Sequence, residues 1–198
     1  MLKKRLLTFI QNNSETTKNF QVPHEEFAFI MSHDLLDSEI QVEEINISRF
    51  SEAYIERGDK ETENMLAIET PEFLQQPITY LKEHMSEFVY VESKWLDIIG
   101  VDAFSFELDD VFRTYSVLLG LRVPKKLESE LKKQLTHNLH GSGISVFSLM
   151  YSQEDGLWEL NFTFNNVDGF SENLTLEQAF SLIYQFIFTI QAGLESKD

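Results

Sequence analysis

The chain contains no cysteine. That absence removes disulfides, thiolate metal ligands and a cysteine nucleophile, and it suits a reducing compartment. Long hydrophobic runs are missing as well. No segment reaches the roughly 18 consecutive apolar residues of a membrane-spanning helix. The opening "MLKKRLLTFIQNN" has a basic start at Lys3, Lys4 and Arg5, but Thr8 interrupts its apolar run and polar residues follow. An export signal needs roughly 7–15 apolar residues at that point. Residues 1–12 are therefore expected to form a short amphipathic helix. The protein is expected to be cytoplasmic, with no membrane partner.

Cations are scarce. Lys and Arg number 16 against 33 Asp and Glu, a net charge of −17. The imbalance is local: residues 1–20 carry +3, residues 21–120 carry −16 and residues 121–198 carry −4. Nucleic acids are bound through cationic contacts to phosphate, so direct nucleic-acid binding is not expected. A protein with a basic surface would instead be steered toward the acidic middle of the chain. The plainer alternative is an acidic surface that serves solubility alone.

What the sequence does have is aromatic bulk. Seventeen phenylalanines in 198 residues suit one sizeable core, because large apolar rings dominate core energetics. The length suits a single domain over residues 1–198, with helix 1–12 as an appendage. The most legible architecture is C-terminal. "ISVFSLMYS" (144–152), "QEDG" and "LWELNFTF" (157–164) predict a β-hairpin turning at Asp155-Gly156. Trp158, Leu160, Phe162 and Phe164 alternate with Glu159, Asn161 and Thr163, the pattern of a half-buried strand. The first strand is apolar on both faces and is expected inside the sheet.

"LTLEQAFSLIYQFIFTIQAGLES" predicts a long helix, with Thr175 and Gln178 as a capping box. It is apolar nearly all round, which requires either a central position in the core or a second chain against it. Phe186 and the rest of helix 175–194 are thus candidates for a partner or homodimer contact. "PKKLESELKKQLTHNLH" predicts a surface helix with one narrow leucine stripe. Residues 70–89 are expected to be helical around Pro77. Residues 92–100 predict a short helix ended by Gly100, and residues 107–122 are expected to be helical. Residues 26–69 read as a meander of antiparallel strands, with "GDKETEN" (58–64) as a hairpin loop. The sum is an α+β fold: a mostly antiparallel sheet, N-terminal meander plus C-terminal hairpin 144–164, with helices packed on one side.

Candidate chemistry is thin. His137 and His140 stand three apart before Gly141-Ser142-Gly143, a spacing that puts two imidazoles on one helix face. Zinc sites need three or four ligands, and no partners stand at familiar offsets. A histidine at a helix C-terminus is favoured by the dipole alone, and Gly141 suits a left-handed closing residue. The glycines form neither a phosphate loop nor a nucleophile elbow. "HEE" at 24–26 and "HD" at 33–34 lack the spacing of a zinc hydrolase and are expected to be solvated charges at a strand or turn edge. No cofactor is expected.

The reading that follows is a non-enzymatic protein-binding protein of inhibitor, immunity, antitoxin or adaptor type, engaging a basic partner. Glu39, Glu43, Glu44, Glu61 and Glu63 are the candidate contacts. The alternative is a small enzyme or a metal- or ligand-binding domain with a dispersed site near His137 and His140.

Overall fold

A computed structural model describes residues 1–13, 19–36, 41–141 and 146–195. In chain order it begins with α1 (Leu2–Asn13), β1 (Asn19–Val22), α2 (His24–His33), β2 (Gln41–Glu44), β3 (Tyr54–Asp59) and β4 (Met65–Glu69). There follow α3 (Tyr80–Glu83), β5 (Glu87–Glu92), α4 (Leu96–Ile99), β6 (Val101–Leu108) and β7 (Tyr115–Leu121). The chain ends with α5 (Glu128–Asn138), β8 (Phe147–Ser152), β9 (Leu157–Thr163) and α6 (Leu176–Glu195). β3 to β9 form one seven-stranded antiparallel sheet in the order β4-β3-β5-β6-β7-β9-β8, while β1 and β2 pair in parallel as a separate two-stranded unit. The fold is α+β with the helices on one side, and the sheet runs unbroken from the N-terminal meander to the C-terminal hairpin.

One face of the sheet makes the core. Val89, Val91, Phe104, Phe106, Val117, Leu119, Leu121, Trp158, Leu160 and Phe162 are buried there, at every second position of their strands. α6 lies across them. Phe180 meets Phe104 and Phe106 edge-on at 5.1 and 5.8 Å, and Phe186 packs on Phe162 at 4.9 Å. The outer side of α6 is covered in turn, with Phe188 edge-on to Phe29 of α2 at 5.6 Å. The helix is therefore packed on two sides within its own chain, and its remaining polar stripe, Glu177, Ser181, Gln185 and Thr189, is only partly covered, with Thr189 exposed. Its capping box forms as expected: Gln178 N–H donates to Thr175 Oγ1, and Thr175 N–H donates to the Gln178 side chain.

Four expectations are corrected. Residues 107–122 are a hairpin rather than a helix. The Asp109 carboxylate accepts the Val111 and Phe112 N–H groups, so it caps a turn, which Arg113 completes at φ 57°. The buried set Tyr115, Val117, Leu119 and Leu121 then has period two. Residues 70–89 form a 3-10 turn over Pro71–Gln75, the single turn α3, and the start of β5. Helix is overridden there by pairing with the approach to α6, since Ile78 N–H donates to Leu174 O and Leu176 N–H to Gln76 O. Residues 26–32 belong to a helix, not a strand: Pro23 precedes it, Glu25 and Glu26 favour its first turn, and Glu26, Phe29 and Ile30 are buried at helical spacing. Lastly, β8 is the sheet's edge strand and β9 the interior one.

Candidate functional site

The second face of the sheet is bare: no described element covers it. The register places one complete row across all seven strands, Ile68–Glu56–Tyr90–Ser105–Leu118–Asn161–Ser148. Leu118 stands on an interior strand yet is 37% exposed, so the centre of the face is open to solvent. Small residues (Ala103, Ser105 and Gly120) keep that centre low, while longer side chains rise on both sides.

On the β3–β5 side tyrosine and glutamate alternate. Tyr54 is registered with Glu92 and Glu56 with Tyr90. Each hydroxyl donates to the glutamate two residues along its own strand, Tyr54 to Glu56 and Tyr90 to Glu92, both at 2.6 Å. The tyrosine rings meet edge-on at 6.4 Å. The phenols are pushed up, Tyr54 chiefly by its hydrogen bond to Glu56 and Tyr90 by burial and then by its bond to Glu92. The next pair is Gly58 with Phe88, and the ring lies over the glycine. A Cβ on Gly58 would sit 2.2 Å from the ring's Cζ, so this position needs glycine for close approach. Together these residues border a depression of about 720 Å³, with Glu63 and Glu107 also on its rim.

A second depression of about 540 Å³ shares Tyr90, Ser105 and Leu118 with the first and continues over Gly120 to Met150, Asp155 and Glu159. The two form one trough across the strands. Phe112, 70% exposed at the β6–β7 hairpin tip, borders a third and smaller depression with Ser116 and Asn161.

Charge on this face is one-sided. Among the described residues Glu56, Glu63, Glu92, Glu107, Asp155 and Glu159 line the trough, with Lys60 the single lining cation. Lys60 is already engaged, donating to Leu108 O at 2.9 Å and to Asp110 at 2.7 Å. Glu107 accepts no hydrogen bond among the described residues; burial, with lesser help from Asp110 and Asp109, pushes its carboxyl up against the pull of Lys60.

The candidate contacts fall in different places. Glu63 lines the first depression and Glu61 sits in the same β3–β4 turn. Glu43 and Glu44 stand on β2, in the separate parallel unit, where Glu44 pairs with His24 at 3.0 Å. Glu39 lies outside the described residues. Phe186 is 6% exposed and belongs to the core.

His137 and His140 do not share a helix face. α5 is capped by Leu139 in extended conformation, because Leu139 bridges to Val167 and His140 N–H donates to Asn166 O. His140 Nε2 then pairs with Asp168 at 2.6 Å, well exposed. Gly141 does take positive φ, 136°, but beyond the helix end. Ser142 and Gly143 lie outside the described residues. Among the described residues no group of three or more His, Asp or Glu is placed to hold a metal ion.

The "HEE" segment hides a different feature. Glu26 is fully buried rather than solvated, as is Tyr184, and Arg49 is 6% exposed. Arg49 donates to both Glu26 oxygens, at 3.1 and 2.6 Å, and to Glu25. Its guanidinium lies 4.2 Å from the Tyr184 ring centre, while the Tyr184 hydroxyl bonds Glu26 at 2.5 Å. Gln185 of α6 donates to Glu25. This network ties α2 and the loop before β3 to α6.

Sequence reasoning missed the bare face itself. The period-two alternation Tyr54/Glu56 and Phe88/Tyr90/Glu92 was the available signal, obscured by reading residues 70–89 as helix. Comparison with protein families, curated proteins and solved structures gives no match for this chain. Among the described residues no helix is long and apolar enough to cross a membrane.

Proposed function

We propose that this chain is a non-enzymatic protein-binding protein that docks a basic partner on the bare face of its sheet, as an inhibitor, immunity protein or adaptor would. One observation carries the reading: a seven-stranded sheet with one face uncovered by any described element and lined, among the described residues, by six carboxylates and one engaged lysine. Apolar and aromatic groups within an acidic field supply contact area and charge complementarity together. Acids on this face would occupy the place of phosphates or other anions on a cationic partner.

The test separates placement from net charge. One variant reverses Glu56, Glu92 and Glu159 to Lys; a second reverses Glu43, Glu44 and Glu72, which lie off this face. Both change the net charge equally. Binding of an octa-arginine peptide at low salt is expected to fall by more than about tenfold in the first variant and far less in the second, with the wild-type affinity dropping steeply as salt rises. Equal losses in the two variants would mean that the whole acidic surface, and no particular face, attracts cations.

A further inference from the structure

We infer that the depression bounded by Tyr54, Phe88 and Tyr90 is a receptor for one guanidinium group, carried by an arginine of the basic partner. The inference rests on the bare face being the docking surface and names what that surface selects. Its basis is the combination of three aromatic rings with carboxylates in one concavity. The faces of the rings attract cations through their quadrupoles. Tyr54 and Tyr90 stand at 74° to one another, so they offer two walls rather than one plane, and the tip of the Phe88 ring lies over Gly58 and adds a third apolar surface. Glu56 and Glu92 alternate with these rings and, among the described residues, are each held by one tyrosine hydroxyl. A carboxylate has about four acceptor sites, so both retain capacity for a donor. Glu107 borders the same space with no hydrogen-bond partner among the described residues.

These features favour guanidinium over ammonium. A planar, weakly hydrated group can stack on a ring while its edge donates to carboxylates, whereas an ammonium is compact and strongly hydrated. The resident cation does not fill the role, because Lys60 is engaged by Leu108 O and Asp110. The depression is larger than one side chain and opens into the trough over Gly120. The segment bearing the arginine would therefore run across the strands, toward Met150 and Glu159.

The test titrates the isotope-labelled full chain with a nine-residue neutral peptide holding one central arginine, followed by NMR. Matched peptides carry lysine or uncharged citrulline in its place. Expected are shifts centred on Tyr54, Phe88 and Tyr90, with arginine binding roughly tenfold tighter than citrulline and several-fold tighter than lysine. Tyr90→Phe, which keeps the ring, is expected to retain binding, while Tyr90→Leu and Tyr54→Ser each weaken it about fivefold. A thermal melt checks that each variant is folded; Tyr54 is exposed enough that its change leaves the core alone. Equal binding of arginine and citrulline, equal binding of arginine and lysine, or shifts centred elsewhere would overturn the assignment. Octa-arginine separates the two levels. If it binds in a manner sensitive to reversal of Glu56, Glu92 and Glu159 but indifferent to the ring variants, the docking face stands and the guanidinium receptor falls. If reversal of those three residues has no special effect, both fall.

Discussion

Glu26 and Glu56 are the same residue in opposite situations. Glu26 is fully buried, with both carboxylate oxygens bonded by Arg49 and one by Tyr184. Glu56 stands on an open sheet face, bonded once by a tyrosine and, among the described residues, facing no free cation. The first arrangement has its counter-charge within the chain, and the second has none close by among the described residues. A carboxylate cluster whose counter-charge is built in holds a fold together. One whose counter-charge is missing raises the local field and leaves room for a partner's cation.

The sharpest way to break the comparison is at the buried end. Arg49→Met leaves Glu26 without its counter-ion inside the core, and a loss of about 3–5 kcal/mol is expected in urea unfolding. Adding Glu26→Gln to that variant should restore part of the loss, because the uncompensated charge is then removed. A loss under about 1 kcal/mol would show that the network contributes little to the fold. The bare face predicts the opposite profile. Gly58→Ala pushes the Phe88 ring aside, but the contact is with the far end of a partly exposed side chain. Stability is expected to stay within about 1 kcal/mol of wild type, while the Phe88 ring resonances shift and octa-arginine binding weakens. A stability loss comparable to that of Arg49→Met would erase the distinction between the two regions.

The smallest expected effect is on Glu107. Its carboxyl is raised in the folded state, so the native protein holds the proton to higher pH than the unfolded chain does. Unfolding free energy therefore falls as pH rises from the usual carboxylate range through that raised value, and the cost is fully present at neutral pH. Glu107→Gln should stabilise slightly at pH 7, by about 0.5 kcal/mol, with no advantage below pH 4. Destabilisation at pH 7 would mean that the ionised group has a favourable partner.

The sequence made the C-terminal half legible because its signals are local. The Asp155-Gly156 turn, the Trp158/Leu160/Phe162 alternation and the Thr175/Gln178 box each depend on near neighbours. α1, α5 and Gly100 at the end of α4 were readable for the same reason. The failures share another cause. Residues 107–122 and 70–89 contain acidic caps and apolar spacings compatible with a helix, and the choice is made by remote partners, β9 and the approach to α6. The continuous apolar run Phe27–Ile30 carries no periodicity of its own. For the site, composition pointed to an acidic recognition surface. It could not say which of the acidic residues share a face, since Glu56, Glu92, Glu107 and Glu159 come from four strands. The buried Arg49–Glu26 pair, 23 residues apart, has no local signature at all.

α6 is made after every strand of the sheet it covers. Until residues 176–195 have left the ribosome, the rings of Phe104, Phe106 and Phe162 lack the cover of Phe180 and Phe186, and the nascent sheet presents two faces with very different adhesiveness. Most of its strand pairs are hairpins between chain neighbours and can form early. During synthesis the like charge of the acidic face opposes the edge-to-edge and face-to-face association that the uncovered apolar side invites.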